Sequence, residues 1–525
     1  MTTPNLHRSP LADVSIPDVA ITPAVFERAA AHADRLAFVD GPTGRCMSYG
    51  ALADAIPRAA AGFAARGVGR GDVVGFMAPN LPEYAVVFHG AVTAGGLTTT
   101  INPSYGAEEV RYQLNDAGAR LLVTVGPCLD IVREAVEGTA VREILVIGDA
   151  PEGDDLIAPF APLLDEPPMV PAPVDVDDVA ALPYSSGTTG LPKGVMLTHH
   201  NLVANLVQAE AAIRFGDDEV FVACLPFFHI YGMQIIMNVG LRIGATLVTM
   251  PRFDLEQFLT LAQERRATRL WVVPPIVLAL ARHPMVDDYD LSSVRAVFSG
   301  AAPLGPELTE AVEKRLNIKI RQGYGMTEAS PATHYTVAGT ERSGTVGQLM
   351  PSIEMRIIDP GSGNDVPTGQ PGEVWVRGPN VMKGYLNNPE ATARTVDADG
   401  WLHTGDIGRV DEDGYLTVVD RLKELIKVKG FQVAPAELES VLLKHPKIAD
   451  VAVIPVADEE SGEVPKAFIV RREALTAEEV MEYLTPKVAH YKRVRHVAFV
   501  DAIPKSPSGK ILRRVLVEQE RLARA

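Results

Sequence analysis

The chain has 525 residues, a formal charge of −17 and 47% hydrophobic content. That length exceeds one ordinary core and predicts two or more domains. The apolar content excludes a disordered chain, and an acidic balance with no long basic block excludes general nucleic-acid binding. Cys46, Cys128 and Cys224 are scattered without metal spacing, and read as three buried free thiols in a reducing compartment. The first twenty residues mix Pro, Asp and His without an apolar centre, and no apolar run reaches the ~18 residues of a membrane span. These features predict a cytoplasmic protein with no membrane span.

Taken in chain order, short β-rich runs alternate with helical stretches. The runs are Val73–Met77, Leu121–Val125, Ile144–Ile147, Ala245–Val248, Leu270–Val273 and Ala296–Phe298, each bounded by Gly, Pro or charge. Continuous apolar strands alternating with helices predict buried, mainly parallel sheets of an α/β fold. Residues 151–178, rich in Pro and acid, read as an irregular crossing. A strand-rich segment follows at Glu354–Ile358 and Glu373–Arg377, ending near Val419. Beyond it, residues 435–443 predict a helix with proline in its first turn and Leu438, Val441 and Leu442 on one face. Val451–Ile454, Ala467–Val470 and Val497–Val500 predict strands, completing a compact α+β unit.

Tyr184–Gly194 (YSSGTTGLPKG) crowds hydroxyls, glycines and one lysine together. Backbone N–H groups, hydroxyls and an ammonium converging on one spot suit phosphate. Lys193 is not flanked as in a Walker loop. A Ser/Thr/Gly run is by itself often a linker, but this one sits between apolar segments. Further on come Gln322–Glu328 (QGYGMTE), Trp401–Asp406 (WLHTGD), Val419–Gln432 (VDRLKELIKVKGFQ) and Pro504–Lys510 (PKSPSGK).

In this order the motifs resemble those of the acyl-adenylate-forming superfamily, over roughly residues 25–515. Leu225–Gly232 (LPFFHIYG), Ser299–Gly305 (SGAAPLG) and Lys429–Glu437 (KGFQVAPAE) resemble 4-coumarate–CoA ligases and their bacterial relatives. The resemblance implies a large N-terminal domain, residues 1–420, of mainly parallel sheets flanked by helices plus a β-rich subdomain. It implies a small mobile α+β C-terminal domain, residues 421–525, with a hinge near Lys423. It also implies ATP, Mg²⁺ and coenzyme A, a small-molecule carboxylic acid as partner, and a monomer or homodimer.

The implied chemistry has a clear rationale. A carboxylate does not react with a thiol, because oxide is a bad leaving group. Attack on the α-phosphorus of ATP yields an acyl-AMP, from which AMP leaves easily. By the resemblance Ser185, Ser186, Gly187, Thr188, Thr189 and Lys193 cradle the β- and γ-phosphates, and Glu328 is the Mg²⁺ ligand, a hard oxygen donor. Ala301, Gln322, Gly323 and Thr327 contact AMP, Tyr324 stacks on adenine, and Asp406 and Arg421 hold the ribose hydroxyls, with Lys423 at the hinge. Lys510 bridges the substrate carboxylate and the α-phosphate, His229 lies beside the acyl carboxylate, and Lys427 and Gln432 serve the two half-reactions. Arg252, Lys429 and Gly430 meet coenzyme A. Outside the motifs each has a blander reading: a core histidine for His229, a turn aspartate for Asp406, a solvated lysine for Lys510.

Aligned on the coumarate-ligase motifs, Ile230, Tyr231, Ile235, Phe298, Ala301, Gly323, Pro331 and Ala332 line the acyl pocket. That wall is apolar with one phenol and no arginine, which disfavours dicarboxylates. Ser330 stands where plant members usually have glycine, and Ala332 where valine is usual. An aryl-propenoate and a medium-length fatty acid both remain open. The rival activity is adenylation for a carrier protein.

Overall fold

The computed structural model describes residues 5–185, 191–429, 431–458, 461–506 and 509–524. Two nine-stranded sheets form its body. In the first, Val73–Met77 pairs in parallel with Leu97–Ile101 and Leu121–Val125, and the latter with Glu143–Ile147. All five residues of Val73–Met77 are buried, as expected of a parallel strand covered on both faces. Residues 151–178 are less irregular than their composition predicts. Ile157–Pro159 adds a strand beside Glu143–Ile147, because the parallel edge there offers free backbone groups.

The second sheet runs from Gln348–Leu349 through Ala332–Tyr335, Ile320–Gly325, Ala296–Ser299, Arg269–Val272, Val220–Ala223 and Thr246–Thr249 to the strands Leu36–Asp40 and Cys46–Ser48. Its centre is parallel. The apolar run after Leu270 divides at its prolines into the strand Arg269–Val272 and the helix Pro274–Arg282. One of the three cysteines departs from expectation: Cys46 is exposed, since it lies on the edge strand, while Cys128 and Cys224 are buried.

A third, five-stranded antiparallel sheet joins His7–Arg8 to Glu354–Ile358, Gly372–Arg377, Leu402–Val410 and Leu416–Arg421. One hydrophobic cluster runs through all this, from Ile21 to Leu416, with a second around Met77, Leu122 and Ile144.

After Arg421 the chain builds a separate sheet from Ile426–Val428, Phe431–Val433, Ile448–Asp458, Gly462–Arg471 and His496–Phe499. It has its own clusters, around Leu438, Val453 and Ile469 and around Ile454, Phe468 and Leu516. In the helix Pro435–Leu442, Leu438 and Leu442 are buried as predicted and Val441 is half-buried. Glu439 is buried too. No helix among the described residues is long and apolar enough to cross a membrane.

Candidate active site

The strand Lys193–Thr198 runs straight into the helix His199–Ile213. The entry is fixed reciprocally: Thr198 Oγ1 accepts from Asn201 N, and Asn201 Oδ1 accepts from Thr198 N, both at 3.1 Å. On the other side of the loop Ser185 pairs with Lys193 and Tyr184 with Gly194. Ser186, Gly187, Thr188 and Thr189 lie outside the described residues. The Lys193 ammonium lies 5.0 Å from the centre of the Tyr385 ring.

Tyr385 carries the geometry to Glu328. Its hydroxyl donates to Glu328 Oε1 at 2.8 Å, and Met382 N donates to the Glu328 carbonyl at 2.9 Å. The glutamate is buried, in the single turn Thr327–Ala329. Burial, then the Glu328 charge, raises the Tyr385 phenol above its ordinary value. One carboxylate oxygen is therefore held by the protein. No group of three or more metal-ligating side chains occurs among the described residues. That donor set fits Mg²⁺, which takes one or two carboxylates and completes its shell with water and phosphate oxygens.

Asp406 lies in the third sheet, where the register places it opposite Arg421. Its Oδ2 accepts from the Tyr324 hydroxyl at 2.6 Å, and Arg421 Nε lies 3.3 Å from Oδ1. Burial raises its pKa above the ordinary carboxylate value, and the Arg421 charge opposes this. Tyr324 comes from the second sheet, so this contact ties the two sheets together. Gln322 is buried and donates weakly to Leu304 O at 3.5 Å. Ala301 adopts φ +69, left-handed for a residue with a Cβ, at an exposed bend after the strand Ala296–Ser299.

His229 heads the π-helix Tyr231–Val239. Asn80 anchors the approach, donating to Ala223 O and Leu225 O at 2.8 Å and accepting from Phe227 N at 2.7 Å. His229 Nδ1 accepts from Tyr231 N at 3.2 Å. Burial, then the Lys510 charge, pushes its pKa down to about 4, so the ring is neutral at pH 7. A Cβ on Gly232 would lie 2.1 Å from Pro226 O, so only glycine allows this turn.

Lys510 arrives from the C-terminal unit. Gly509 packs against the start of the helix Pro274–Arg282: a Cβ there would stand 3.1 Å from Pro275. The Lys510 ammonium feels His229, Arg421, Glu424, Asp406 and Glu328 together. Burial, then Arg421, pushes its pKa down to about 8, against the pull of those three carboxylates. Residues predicted as nucleotide, metal and catalytic ligands from four distant segments thus converge.

The remaining predicted residues lie as follows. Lys423, Lys427 and Lys429 are exposed. Lys427 N donates to Glu463 at 2.8 Å and Lys429 N to Ser461 O at 2.9 Å, within the small unit. Gly430 and the Gln432 side chain lie outside the described residues. Arg252 is exposed on the loop after Thr246–Thr249.

Ile230, Ile235, Phe298 and Pro331 are buried and Tyr231 and Ala332 half-buried. Register makes Trp271, Phe298 and Arg321 neighbours across three strands, and sets Tyr335 opposite Gly323. Trp271, Phe298 and Tyr335 form a stacked row, with centroids 4.3 and 5.6 Å apart. The guanidiniums of Arg269 and Arg321 lie 5.5 and 5.7 Å from the Phe298 ring. The predicted wall without arginine is therefore backed by two, held by Glu219 and Glu341. Sequence reasoning missed Trp271, Tyr335 and Tyr385. Only the first had a signal, since parallel strands at Leu270 and Ala296 bring Trp271 beside Phe298.

Two sheets meeting at a partly buried Tyr–Asp–Arg contact, with a smaller unit that has its own sheet and brings a lysine to it, have the organisation of a two-unit enzyme. The AMP-binding enzyme family model matches residues 25–386, and the model of that family's C-terminal domain matches residues 437–510. The chain belongs to the AMP-binding enzyme family. It is 45% identical to 4-coumarate–CoA ligase 2 of Petroselinum crispum, across 97% of the chain and 96% of that protein. It is 44% identical to the 4-coumarate–CoA ligase of Vanilla planifolia, across 99% and 97%. Among solved structures it is similar to the anthranilate CoA ligase AuaEII in complex with anthranoyl-AMP, with a TM-score of 0.90 at 27% identity over 97% and 98% of the two chains. ATP-bound MatB from Rhodopseudomonas palustris gives 0.86 at 31% over 95% and 99%.

Proposed function

We propose that the chain is an AMP-forming acid–CoA ligase acting on aryl acids of the 4-coumarate or cinnamate type. The observation that carries this is the convergence of Lys510 with His229, Asp406, Arg421 and Glu328. In the first step a carboxylate oxygen attacks the α-phosphorus of ATP, and pyrophosphate leaves. Charge spreads over the phosphoryl oxygens as it does so. The buried Lys510 ammonium is preorganised for that charge, and low local polarity strengthens it. Asp406 accepts from the ribose hydroxyls, exchanging some of its bond to Tyr324, while the Arg421 charge favours its ionised form against burial. Glu328 would hold Mg²⁺, which supplies neutralisation of the triphosphate. Lys193 and Ser185 face the β- and γ-phosphates.

In the second step the sulfur of coenzyme A attacks the acyl carbon and AMP leaves. Lys427, Lys429, Gly430 and Gln432 share the small unit with Lys510, so a swivel near Lys423 exchanges one set for the other. The domain boundary falls at residue 420. Neutral His229 beside the carboxylate can turn without breaking a charge pair, opening the path for the thiol. Arg252 is the weakest of the CoA-side residues, because an arginine stands where related ligases carry lysine and its fork differs from an ammonium.

The aryl preference rests on the 4-coumarate–CoA ligase relatives and on the stacked row of Trp271, Phe298 and Tyr335, which suits a planar ring. Acid-dependent exchange of labelled pyrophosphate into ATP tests the first step. Exchange with 4-coumarate or cinnamate well above that with octanoate is expected. Faster exchange with octanoate would replace the aryl reading with the medium-chain one.

A further inference from the structure

Three residues after Lys510, the C-terminal helix Arg513–Arg524 begins with a side chain only 13% exposed. All three nitrogens of the Arg513 guanidinium are engaged. Nη1 donates to Glu424 Oε2 at 2.9 Å, Nη2 to both oxygens of Glu439 at 2.7 Å, and Nε to Val453 O at 3.2 Å. Those acceptors belong to the linker after Arg421, the helix Pro435–Leu442 and the strand Ile448–Asp458. Glu439 Oε1 also accepts from Val453 N at 2.7 Å. Asp420, at the end of the third sheet, accepts from Arg421 N at 2.7 Å and from Ala436 N at 2.9 Å, and its charge also faces Arg513.

The Lys510 loop is closed on the same anchor. Lys505 bridges to Ile511, Ser506 N donates to Lys510 O at 2.8 Å, and Lys505 Nζ pairs with Asp450 at 2.6 Å. A buried arginine with two carboxylates is a poor device for stability alone, since apolar side chains of similar volume often serve as well or better. The clusters on both sides of it are indeed apolar. What the guanidinium adds is direction. It fixes the end of the lysine loop to the linker that follows Arg421.

We propose that Arg513 is a positioning residue for the adenylation step. Through Glu424 it sets the spacing between the Lys510 ammonium and the Arg421 guanidinium across the nucleotide site. This rests on the acyl-adenylate reading above. It also predicts which half-reaction depends on the tie, because a swivel would carry Lys510 away for the second.

The test compares Arg513→Gln, Glu424→Gln and the double variant in two assays: acid-dependent pyrophosphate exchange, and thioester formation from supplied acyl-AMP and coenzyme A. Glu424→Gln cuts only the linker tie and leaves Arg513 bonded to Glu439 and Val453, so the small unit keeps its internal anchor. Exchange is expected to fall at least ~10-fold in each single variant, with the double no worse than Arg513→Gln, as for groups acting as a unit. Thioester formation is expected to stay within about threefold of the unaltered protein, since only the adenylation geometry is disturbed. Equal losses in both assays for Glu424→Gln, or no loss of exchange in it, would overturn the proposal. If the unaltered protein forms thioester from supplied acyl-AMP but shows no acid-dependent exchange, the adenylation reading fails and this inference goes with it.

Discussion

The two sides of the active site are built differently. Asp406 and Tyr324 stand on sheets that share one hydrophobic cluster, Glu328 on a turn between two strands of the second sheet, and side-chain hydrogen bonds tie each in place. Lys510 stands on a loop of a unit with clusters of its own, joined to the rest by few contacts among the described residues. Arg282 donates to Leu443 O at 3.4 Å and Lys444 pairs with Glu307 across the gap, both near the surface. Exposed pairs of this kind are worth little, typically ~0–1 kcal/mol. A small apolar cluster of Ile407, Leu425 and Ala434 sits at the junction. The nucleotide side is thus built into a core, whereas the Lys510 unit meets it through a few surface polar contacts and one small apolar cluster.

The sharpest challenge to this comparison is to remove the ammonium that the small unit brings to the site. Lys510→Ala should lower acid-dependent adenylation by ~10²–10³-fold, as for a lost preorganised donor. Thioester formation from supplied acyl-AMP should fall far less, and a stopped assay of both half-reactions checks this. On the fixed side, Asp406→Asn should cost about 10–100-fold in kcat/KM for ATP, since hydrogen bonds to charged groups are worth ~1.5–3 kcal/mol. Steady-state kinetics at varied ATP measure it.

The pH dependence separates the halves again. Lys510 has its pKa lowered to about 8 in the free protein, so the ammonium is present below that value and lost as pH rises through it. The alkaline limb of kcat/KM should therefore fall at about 8, and Lys510→Arg should abolish that limb at a lower overall rate. Glu439 works in the opposite sense. Its folded carboxyl keeps a proton up to about 7, against 4.5 for the ordinary group, because burial outweighs the Arg513 charge. The folded unit binds more protons between those values, so its stability falls as pH rises from about 4.5 to 7. Glu439→Gln should flatten that slope, with about 1–3 kcal/mol at stake, read from urea unfolding across the range. The smallest effect is expected at Ser330. It adopts φ +66, a conformation glycine takes freely, and its buried hydroxyl finds no partner among the described residues. Ser330→Gly should leave activity intact and change stability by at most ~1 kcal/mol in the favourable direction, measured by thermal unfolding.

The large sheets were legible because their strands are short apolar runs punctuated by Gly and Pro. Val73–Met77, Leu121–Val125 and Glu354–Ile358 fall where the residues predict. Ile157–Pro159 was not, since a three-residue strand in a Pro-rich, acidic crossing has no periodicity to show. The same holds in the site. Asp406, Glu328 and Lys510 lie in motifs with fixed neighbours, so their chemistry could be read in order along the chain. Tyr385, Tyr335 and Arg513 act by contacts across sheets or units, and nothing in their flanking residues announces the partner. Glu439 reads as the polar face of a helix, yet it is buried because Arg513 arrives from 74 residues away to meet it.

The most direct test is mass spectrometry of the products formed from the protein, Mg-ATP and a mixed panel of aryl and fatty acids, with and without coenzyme A. The account predicts enzyme-bound aryl-AMP without coenzyme A, and aryl-CoA with AMP when it is supplied. Acyl-AMP that forms but is indifferent to coenzyme A would contradict it and point to a carrier-protein acceptor.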